Sequence, residues 1–202
     1  MGAKYPNITV GDVQYNGGSG VDSSTNSIQT VEYSHHEVHA GAAYSAYVND
    51  LDLDTDDELT IAFTTPDTAK WFHMVATFKS TSSGLAEILE GPTITNGTGT
   101  EVAAINHNRN ATGHTSGCLS IEASAVAGEY STNPTITADG LVLIADTIGT
   151  GKNKGVSAAR GIEEYILKQD TTYAFRITGL ADNGDSSITL NWYEHTDKNS
   201  HS

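Results

Sequence analysis

The chain has 202 residues, of which 37% are hydrophobic, and 25 Asp and Glu against 10 Lys and Arg give a formal charge of −15. This length fits one domain with an appendage, and the acidic balance argues against binding to nucleic acid or anionic membranes. The N-terminus has no apolar signal segment and no run is long enough to span a bilayer, so we expect assembly in the cytoplasm.

The first thirty residues are rich in Gly, Ser, Asn and Asp and show neither a helical nor a strand period. Their sparse anchors are Tyr5, Ile8, Val10, Val13 and Tyr15. Two interpretations stay open for this segment. It is either a disordered tail or an extended arm that becomes ordered on a neighbouring molecule.

A histidine cluster follows in the sequence EYSHHEVHAG, with His35, His36 and His39 close together. His35 and His39 have the i, i+4 spacing of zinc ligands on a helix. The run is not HExxH, however, and its neighbourhood favours strand and turn. We expect surface histidines here, with a pH-sensitive contact as the alternative.

Short β-type runs recur from residue 29 onward between turn signals. Residues 42–48 place Tyr44, Ala46 and Val48 on one face, and the next run alternates Leu59, Ile61 and Phe63 against polar or small residues. Residues 70–80 are rich in aromatic and β-branched side chains and predict a strand. A shorter run closes at Gly91 and Pro92.

The acidic run NDLDLDTDDE at residues 49–58 resembles the start of a calcium loop. It lacks the Gly and Glu that an EF-hand needs at its sixth and twelfth positions, where Thr55 and Ile61 stand. We expect a solvated strand edge or turn, with an incidental divalent-ion site as the alternative.

The polar stretch NHNRNATGHTSG at residues 106–117 separates two apolar runs. Asn side chains bond neighbouring backbone groups and tolerate turn conformations, so we expect a structural loop, with Asn108, Arg109 and Asn110 as candidate subunit contacts. The single cysteine, Cys118, begins an alternating run that predicts a strand, and we expect it to be a small core residue.

The last third of the chain predicts further strands. Residues 140–149 are nearly all apolar and predict a central strand, whereas residues 158–168 fit a short helix or a strand equally well. The Gly-Lys pair in residues 149–155 fails the Walker pattern at both ends. Asn183 and Gly184 are a strong turn pair, so the runs on either side should form a hairpin.

Together these patterns predict an all-β fold, an antiparallel β-sandwich of jelly-roll type with an extended N-terminal arm. We assign residues 1–30 to the arm, 31–196 to the sandwich and 197–202 to a flexible tail. The chain has no GxSxG, HExxH or CxxC signature, so we expect neither an enzyme nor a cofactor or metal centre.

Several of these strand and loop motifs carry a resemblance. The stretches EILEG (87–91), NRN (108–110), YILK (165–168), TY (172–173) and LNWYEH (190–195) resemble those of small virion structural proteins of tailed bacteriophages, over residues 36–196. Gln169 stands where that group often has Pro.

The resemblance implies a head decoration (cement) protein on the outer surface of the virion, where it stabilises the shell of the major capsid protein. It also implies self-association as a homotrimer and no catalysis. The arm and residues 108–110 would contact the capsid or a neighbouring subunit. The alternatives are another tail or baseplate subunit, or a carbohydrate-binding jelly roll with Trp71, Trp192 and Tyr193 as a sugar platform.

Overall fold

The structure is a computed structural model that describes residues 9–10, 13–14, 33–110, 112–122, 125–149, 159–160 and 164–196. The chain divides into two compact units, Met1–His36 and Glu37–Ser202. In the first unit, strands β1 (Thr9–Val10) and β2 (Val13–Gln14) pair antiparallel, so that Val10 lies opposite Val13. The predicted anchors Tyr5, Ile8 and Tyr15 lie outside the described residues.

The remaining elements are one short helix and fourteen strands among the described residues. In chain order they are α1 (Tyr33–His39), β3 (Ala43–Leu53), β4 (Glu58–Thr64), β5 (Lys70–Ser80), β6 (Gly84–Glu90), β7 (Thr93–Ile94), β8 (Thr100–Ala103), β9 (Ile105–Asn106), β10 (Glu129–Thr132), β11 (Ile136–Ala138), β12 (Leu141–Ile148), β13 (Ala159–Arg160), β14 (Tyr165–Leu167), β15 (Thr172–Gly179) and β16 (Gly184–Thr196).

Eight strands of the second unit have jelly-roll connectivity, which confirms the predicted antiparallel sandwich. One sheet contains the order β12-β6-β15-β4, and the other contains β3-β16-β5 with β14 paired to β5. All of these pairings are antiparallel, and the strands from β3 to β6 alternate between the two sheets, as do those from β14 to β16. This alternation brings the two sheets face to face around one core.

The core lies between the two sheets, as the strand alternation predicts. Leu59, Ile61 and Phe63 of β4 are each fully buried, and they belong to the same apolar cluster as residues of β5 and β16. The ring of Phe63 stacks with those of Phe72, Phe175 and Trp192 at centroid distances of 6.3, 6.0 and 6.1 Å. Stacked aromatic rings of this kind stabilise the fold beyond the burial of their area.

The segment between β6 and β12 is an insertion that covers one sheet. Ile121 of this segment is buried against Ala62, Leu89 and Ala174, on the side of β4, β6 and β15 that faces away from the main core. The insertion also closes one edge of the sandwich, because β8 joins the first sheet through β10 while β9 pairs with β3 of the second. At this edge the Tyr130 hydroxyl donates to the backbone carbonyl of Tyr47 at 2.9 Å.

The predicted hairpin at Asn183 and Gly184 is wrong. β15 pairs with β4 and β6, whereas β16 pairs with β3 and β5, so the turn connects the two sheets instead of two neighbouring strands. Asn183 does adopt a turn conformation with φ of 58°, and its N–H donates to Asp54 Oδ1. The Asn183-Gly184 pair does form a turn, but the residues of a turn do not specify which strands become neighbours in a sheet.

Two other strand predictions are also wrong. β12 lies at the edge of its sheet and not at the centre, since β6 is its one partner among the described strands and Leu141 is 58% exposed. In its described part, the run that begins at Cys118 forms no strand; Leu119 makes isolated bridges to Thr64 and Ala127. Cys118 itself is fully buried, as expected for a small core residue, and burial raises the pKa of its thiol to about 12.

The histidine cluster is helical, so the expected strand and turn are wrong there. It lies in α1, which ends where Gly41 adopts a positive φ of 71° and Ala42 N–H donates to the carbonyl of Glu37. A glycine in this conformation is a common helix terminator. The undecided segment 158–168 forms strands β13 and β14 in its described part.

Candidate interaction surface

The loop at residues 106–110 is built as a chain of asparagine turns. Asn106 Oδ1 accepts the N–H of Asn108 at 2.8 Å, and Asn108 Oδ1 accepts the N–H of Asn110 at 3.2 Å. The amide groups of the same side chains donate to the carbonyls of Gly41 and His39. The asparagines therefore replace backbone partners, as the sequence predicts, and fix this loop against the last residue of α1 and the turn that follows it.

Among the three predicted contact residues of this loop, only two present their side chains fully to solvent. Arg109 and Asn110 are exposed, whereas Asn108 is half-buried because its amide is used inside the fold. Arg109 makes one long hydrogen bond, 3.5 Å from Nη1 to the carbonyl of Asn106. Its exposed guanidinium can therefore make a contact with another molecule.

The insertion packs on the first sheet and not on the outer side of the second, among the residues that the structure describes. Strand alternation directs Tyr47 of β3, Thr189 and Asn191 of β16, and Val75 and Thr77 of β5 away from the core. These positions carry no carboxylate, although the chain as a whole has a charge of −15. We call this surface the outer face.

Exposed apolar side chains flank the outer face on both sides. Tyr47 is 56% exposed on β3, and beside it Ile105 of β9 is partly exposed. On the opposite side Ile166 of β14 is 52% exposed, and Trp71 of β5 is 38% exposed. Exposed apolar side chains on a surface with few charged groups are a feature of protein contact sites.

A cluster of stacked rings occupies one end of the outer face. The ring of His73 lies 4.6 Å from that of Tyr193 and 4.5 Å from that of His195, measured between centroids. His73 Nδ1 contacts Glu164 Oε1, and the Tyr193 hydroxyl donates to the same oxygen at 2.7 Å. We call these four residues the imidazole cluster. Only the closing WYEH motif indicates part of this cluster, because the sequence does not reveal that β5 supplies His73 and that the residue before β14 supplies Glu164.

The alternate residues of the same motif point into the core. Glu194 is 2% exposed, and its carboxylate accepts hydrogen bonds from Ser116 Oγ at 2.5 Å, from the N–H of Gly117 at 3.0 Å and from Trp192 Nε1 at 3.0 Å. Burial, and then the charge of Glu194, raise the pKa of Tyr44 to about 12. This buried carboxylate links the insertion to β16.

The sugar platform considered for Trp71, Trp192 and Tyr193 is not formed. Trp192 is 3% exposed and stacks in the core, whereas Trp71 and Tyr193 lie on the outer face of the same sheet. The three rings therefore cannot contact one ligand together.

Arg176 forms the main ionic cluster on the other sheet. Its guanidinium donates to Glu87 Oε2 at 2.7 and 3.0 Å, and Nη1 lies 3.1 Å from Glu58 Oε1 and 3.0 Å from Asp139 Oδ1. Arg176 is 8% exposed, and burial lowers its pKa while its carboxylate partners raise it, with a net upward shift. The cluster fixes the start of β12 to β6 and β15.

The acidic run at residues 49–58 covers the end of β3, a structured turn and the first residue of β4. Asp54 Oδ1 accepts the N–H of Asn183, and Asp182 accepts both the N–H and the hydroxyl of Thr55. The hydrogen bonds from Thr55 lower the pKa of Asp182. In the part of the chain that the structure describes, no group of three or more His, Cys, Asp or Glu side chains is arranged to hold a metal ion.

A surface depression of about 280 Å³ lies where the insertion meets the first sheet, between Thr64, Ile121 and Thr172. Its lining includes Glu122, whose Oε1 is buried and has no hydrogen-bond partner within the structure. No aromatic ring or cation is among the described residues that line it. Its chemistry is therefore limited to one carboxylate, hydroxyls and an amide.

The described residues therefore form a jelly roll in which most buried polar side chains are hydrogen-bonded within the fold. No protein-family model, curated protein or solved structure matches the chain. Among the described residues, no helix has the length and apolar character required to cross a bilayer.

Proposed function

We propose that this chain is a non-catalytic structural subunit of a virus particle, a decoration protein that binds the outside of a phage head. The observation that carries the proposal is the asymmetry of the sandwich. The insertion covers one sheet, whereas the other sheet presents an outer face whose central positions on β3, β16 and β5 carry no carboxylate, although the chain is strongly acidic. The central part of this face can dock on another protein without burying, and so desolvating, a carboxylate.

The arrangement of the interior polar groups agrees with a structural role. Glu194 and Arg176 are buried, and each is bonded to groups that hold strands or the insertion in place. A general acid or base must instead reach a substrate. The burial of Cys118 and the raised pKa of its thiol likewise argue against a nucleophile.

A decoration protein acts by mass action. Each copy that binds the assembled shell, and does not bind the dissociated capsid subunits, stabilises the shell by its free energy of binding. If three copies associate as the resemblance implies, weak contacts made by each copy add up to a tight attachment. The proposed partners are therefore the major capsid protein and two further copies of this chain.

The proposal is tested by co-sedimentation of the purified chain with capsids that lack it. We expect saturable binding by the wild-type chain. The double variant Tyr47→Ser, Ile166→Ser removes exposed apolar groups from both sides of the outer face and should weaken binding at least tenfold, about 1.4 kcal/mol. Leu180→Ser is the matched control, because Leu180 is 50% exposed in the turn between β15 and β16.

The outcomes separate the proposal from its alternatives. A wild-type chain that does not bind capsids, but binds isolated tails, would assign it to the tail or baseplate. Binding that is equal in the wild type and in the outer-face variant would show that the docking surface lies elsewhere. Binding to sugars on a glycan array, without capsid binding, would replace the structural role with carbohydrate recognition.

A further inference from the structure

Two imidazole nitrogens face each other in the imidazole cluster. His73 Nε2 and His195 Nε2 are 2.7 Å apart, on neighbouring strands β5 and β16. The side chain of His73 is 12% exposed, so this contact lies at the surface but is shielded from bulk water on one side. A contact this short between two nitrogens requires a proton or a cation between them.

The other nitrogens of the two rings show that neutral histidines have no proton for this contact. His73 Nδ1 lies against the carboxylate of Glu164 and 3.2 Å from the Tyr193 hydroxyl; because an ionised carboxylate only accepts hydrogen bonds, we assign the ring proton to Nδ1. His195 Nδ1 lies 3.0 Å from the carbonyl of Thr196, which also only accepts. In the neutral rings both Nε2 atoms therefore present lone pairs toward each other.

Histidines that bind metals in proteins have the same arrangement, with one ring nitrogen protonated and hydrogen-bonded and the other free to bind the metal. A histidine ligand usually donates its second ring N–H to a carboxylate or a backbone carbonyl, which orients the ring and raises its basicity. Here one ring has the carboxylate of Glu164 and the other has the carbonyl of Thr196. The Tyr193 hydroxyl donates to the same oxygen of Glu164 and fixes the carboxylate in turn.

The spacing of the two nitrogens distinguishes between metals. Bonds of about 2.0 Å that meet at a right angle separate two nitrogens by about 2.8 Å, whereas a tetrahedral angle separates them by about 3.3 Å. The observed 2.7 Å is close to the right-angled case. Adjacent positions of a square-planar or octahedral ion therefore fit better than tetrahedral zinc.

We propose that His73 and His195 form a two-histidine site for Cu²⁺ or Ni²⁺, with Glu164 as a positioning residue. Water, or a side chain of a docked partner, would supply the remaining ligands. The site lies on the outer face, but the proposal does not depend on capsid binding.

The test uses the full chain without an affinity tag, carrying His35→Gln and His39→Gln to remove the other closely spaced pair. Titration with CuCl₂, followed by calorimetry and by electron paramagnetic resonance, should show one Cu²⁺ per chain coordinated by two imidazole nitrogens. His73→Gln and His195→Gln, each made separately in this background, should weaken binding at least tenfold and reduce the coordination to one nitrogen. His107→Gln is the matched control and should bind as the background does.

Glu164→Ala tests the positioning role. It should weaken binding about tenfold while both nitrogen ligands remain visible in the spectrum, because it removes the support of His73 and not the ligand. Circular dichroism confirms that each variant is folded, and His195→Gln provides a second test if His73→Gln is not. The proposal is overturned if the background chain binds no Cu²⁺, which would leave only a shared proton, or if neither histidine variant changes the affinity.

Discussion

Glu194 shows how one residue joins distant parts of this chain. Its carboxylate accepts hydrogen bonds from the insertion, through Ser116 and Gly117, and from Trp192 of its own strand. Because the carboxylate is 2% exposed, water cannot replace it for these donors. A buried donor that loses its acceptor keeps the full cost of its desolvation.

Replacement of this carboxylate should therefore be costly. We expect Glu194→Leu to lower the free energy of unfolding by about 3 kcal/mol, because it leaves buried N–H groups without acceptors. Urea denaturation at pH 7 measures the effect. Asp67→Asn, at an exposed position, is the control and should change stability by less than about 0.5 kcal/mol. A loss below 1 kcal/mol for Glu194→Leu would contradict the structural role.

A second residue-scale prediction concerns pH. Lys168 donates to Glu90 at 2.6 Å and the Tyr173 hydroxyl donates at 2.9 Å, and these contacts hold the pKa of Glu90 below its usual value. A lowered folded-state pKa contributes stability that is present above the unfolded pKa and is lost as the pH falls through the folded one.

Lys168→Met should remove part of this contribution. Because Lys168 is 68% exposed, we expect a loss of less than about 1 kcal/mol at pH 7, and we expect the difference from wild type to disappear in acid, once Glu90 is protonated. Urea midpoints measured from pH 7 down to pH 2 give the comparison. A difference that grows in acid would show that the sign is wrong.

At the scale of elements, the asparagine loop at residues 106–110 combines a residue with a structural role, Asn106, and a residue with a proposed contact role, Arg109. Asn106 bonds Gly41 and Asn108 within the fold, whereas Arg109 has a single long bond and is exposed. We expect Asn106→Ala to cost about 1–2 kcal/mol of stability and Arg109→Ala to cost less than about 0.5 kcal/mol.

Thermal and urea unfolding of both variants check this prediction, and capsid co-sedimentation complements it. If Arg109 is a contact residue, Arg109→Ala binds capsids more weakly although its stability is unchanged. A stable Asn106→Ala variant would mean that the loop does not need its asparagine turns.

The elements also show what a sequence pattern can and cannot predict. Alternation predicts β3 and β4 with their inward faces, because burial on one side of a strand leaves a periodic pattern in the sequence, whereas β5 is predicted from its aromatic and β-branched composition alone. The apolar composition of β12 did not reveal that it lies at an edge, and the turn at Asn183 did not reveal that its strands lie in different sheets. Pairing depends on the whole chain, which local patterns do not contain.

The candidate site was predicted less fully than the fold, for the same reason. Asn108 and its neighbours could be recognised as a turn-forming loop, since asparagine acts on its own backbone. The outer face and the imidazole cluster combine residues more than 100 positions apart, such as His73 and His195, and only the strand register brings them together.

For the whole molecule, the division at residue 36 suggests a test of the arm. The unit Glu37–Ser202 contains the complete jelly roll, so we expect a chain that begins at Val31 to remain folded. Under the proposed function, it should lose capsid binding, because the arm with Tyr5, Ile8, Val10, Val13 and Tyr15 is expected to contact neighbouring subunits. Calorimetry and co-sedimentation measure the two properties separately, and unchanged occupancy on the capsid would exclude the arm as an attachment.

Cryo-electron microscopy of the virus particle that carries this chain tests the central claim most directly. We expect jelly-roll density on the outside of the head, with the face of Tyr47, Trp71 and Ile166 turned toward the major capsid protein or toward a neighbouring copy. Heads that lack such density, or jelly rolls that present this face to solvent and dock through the covered sheet, would contradict it.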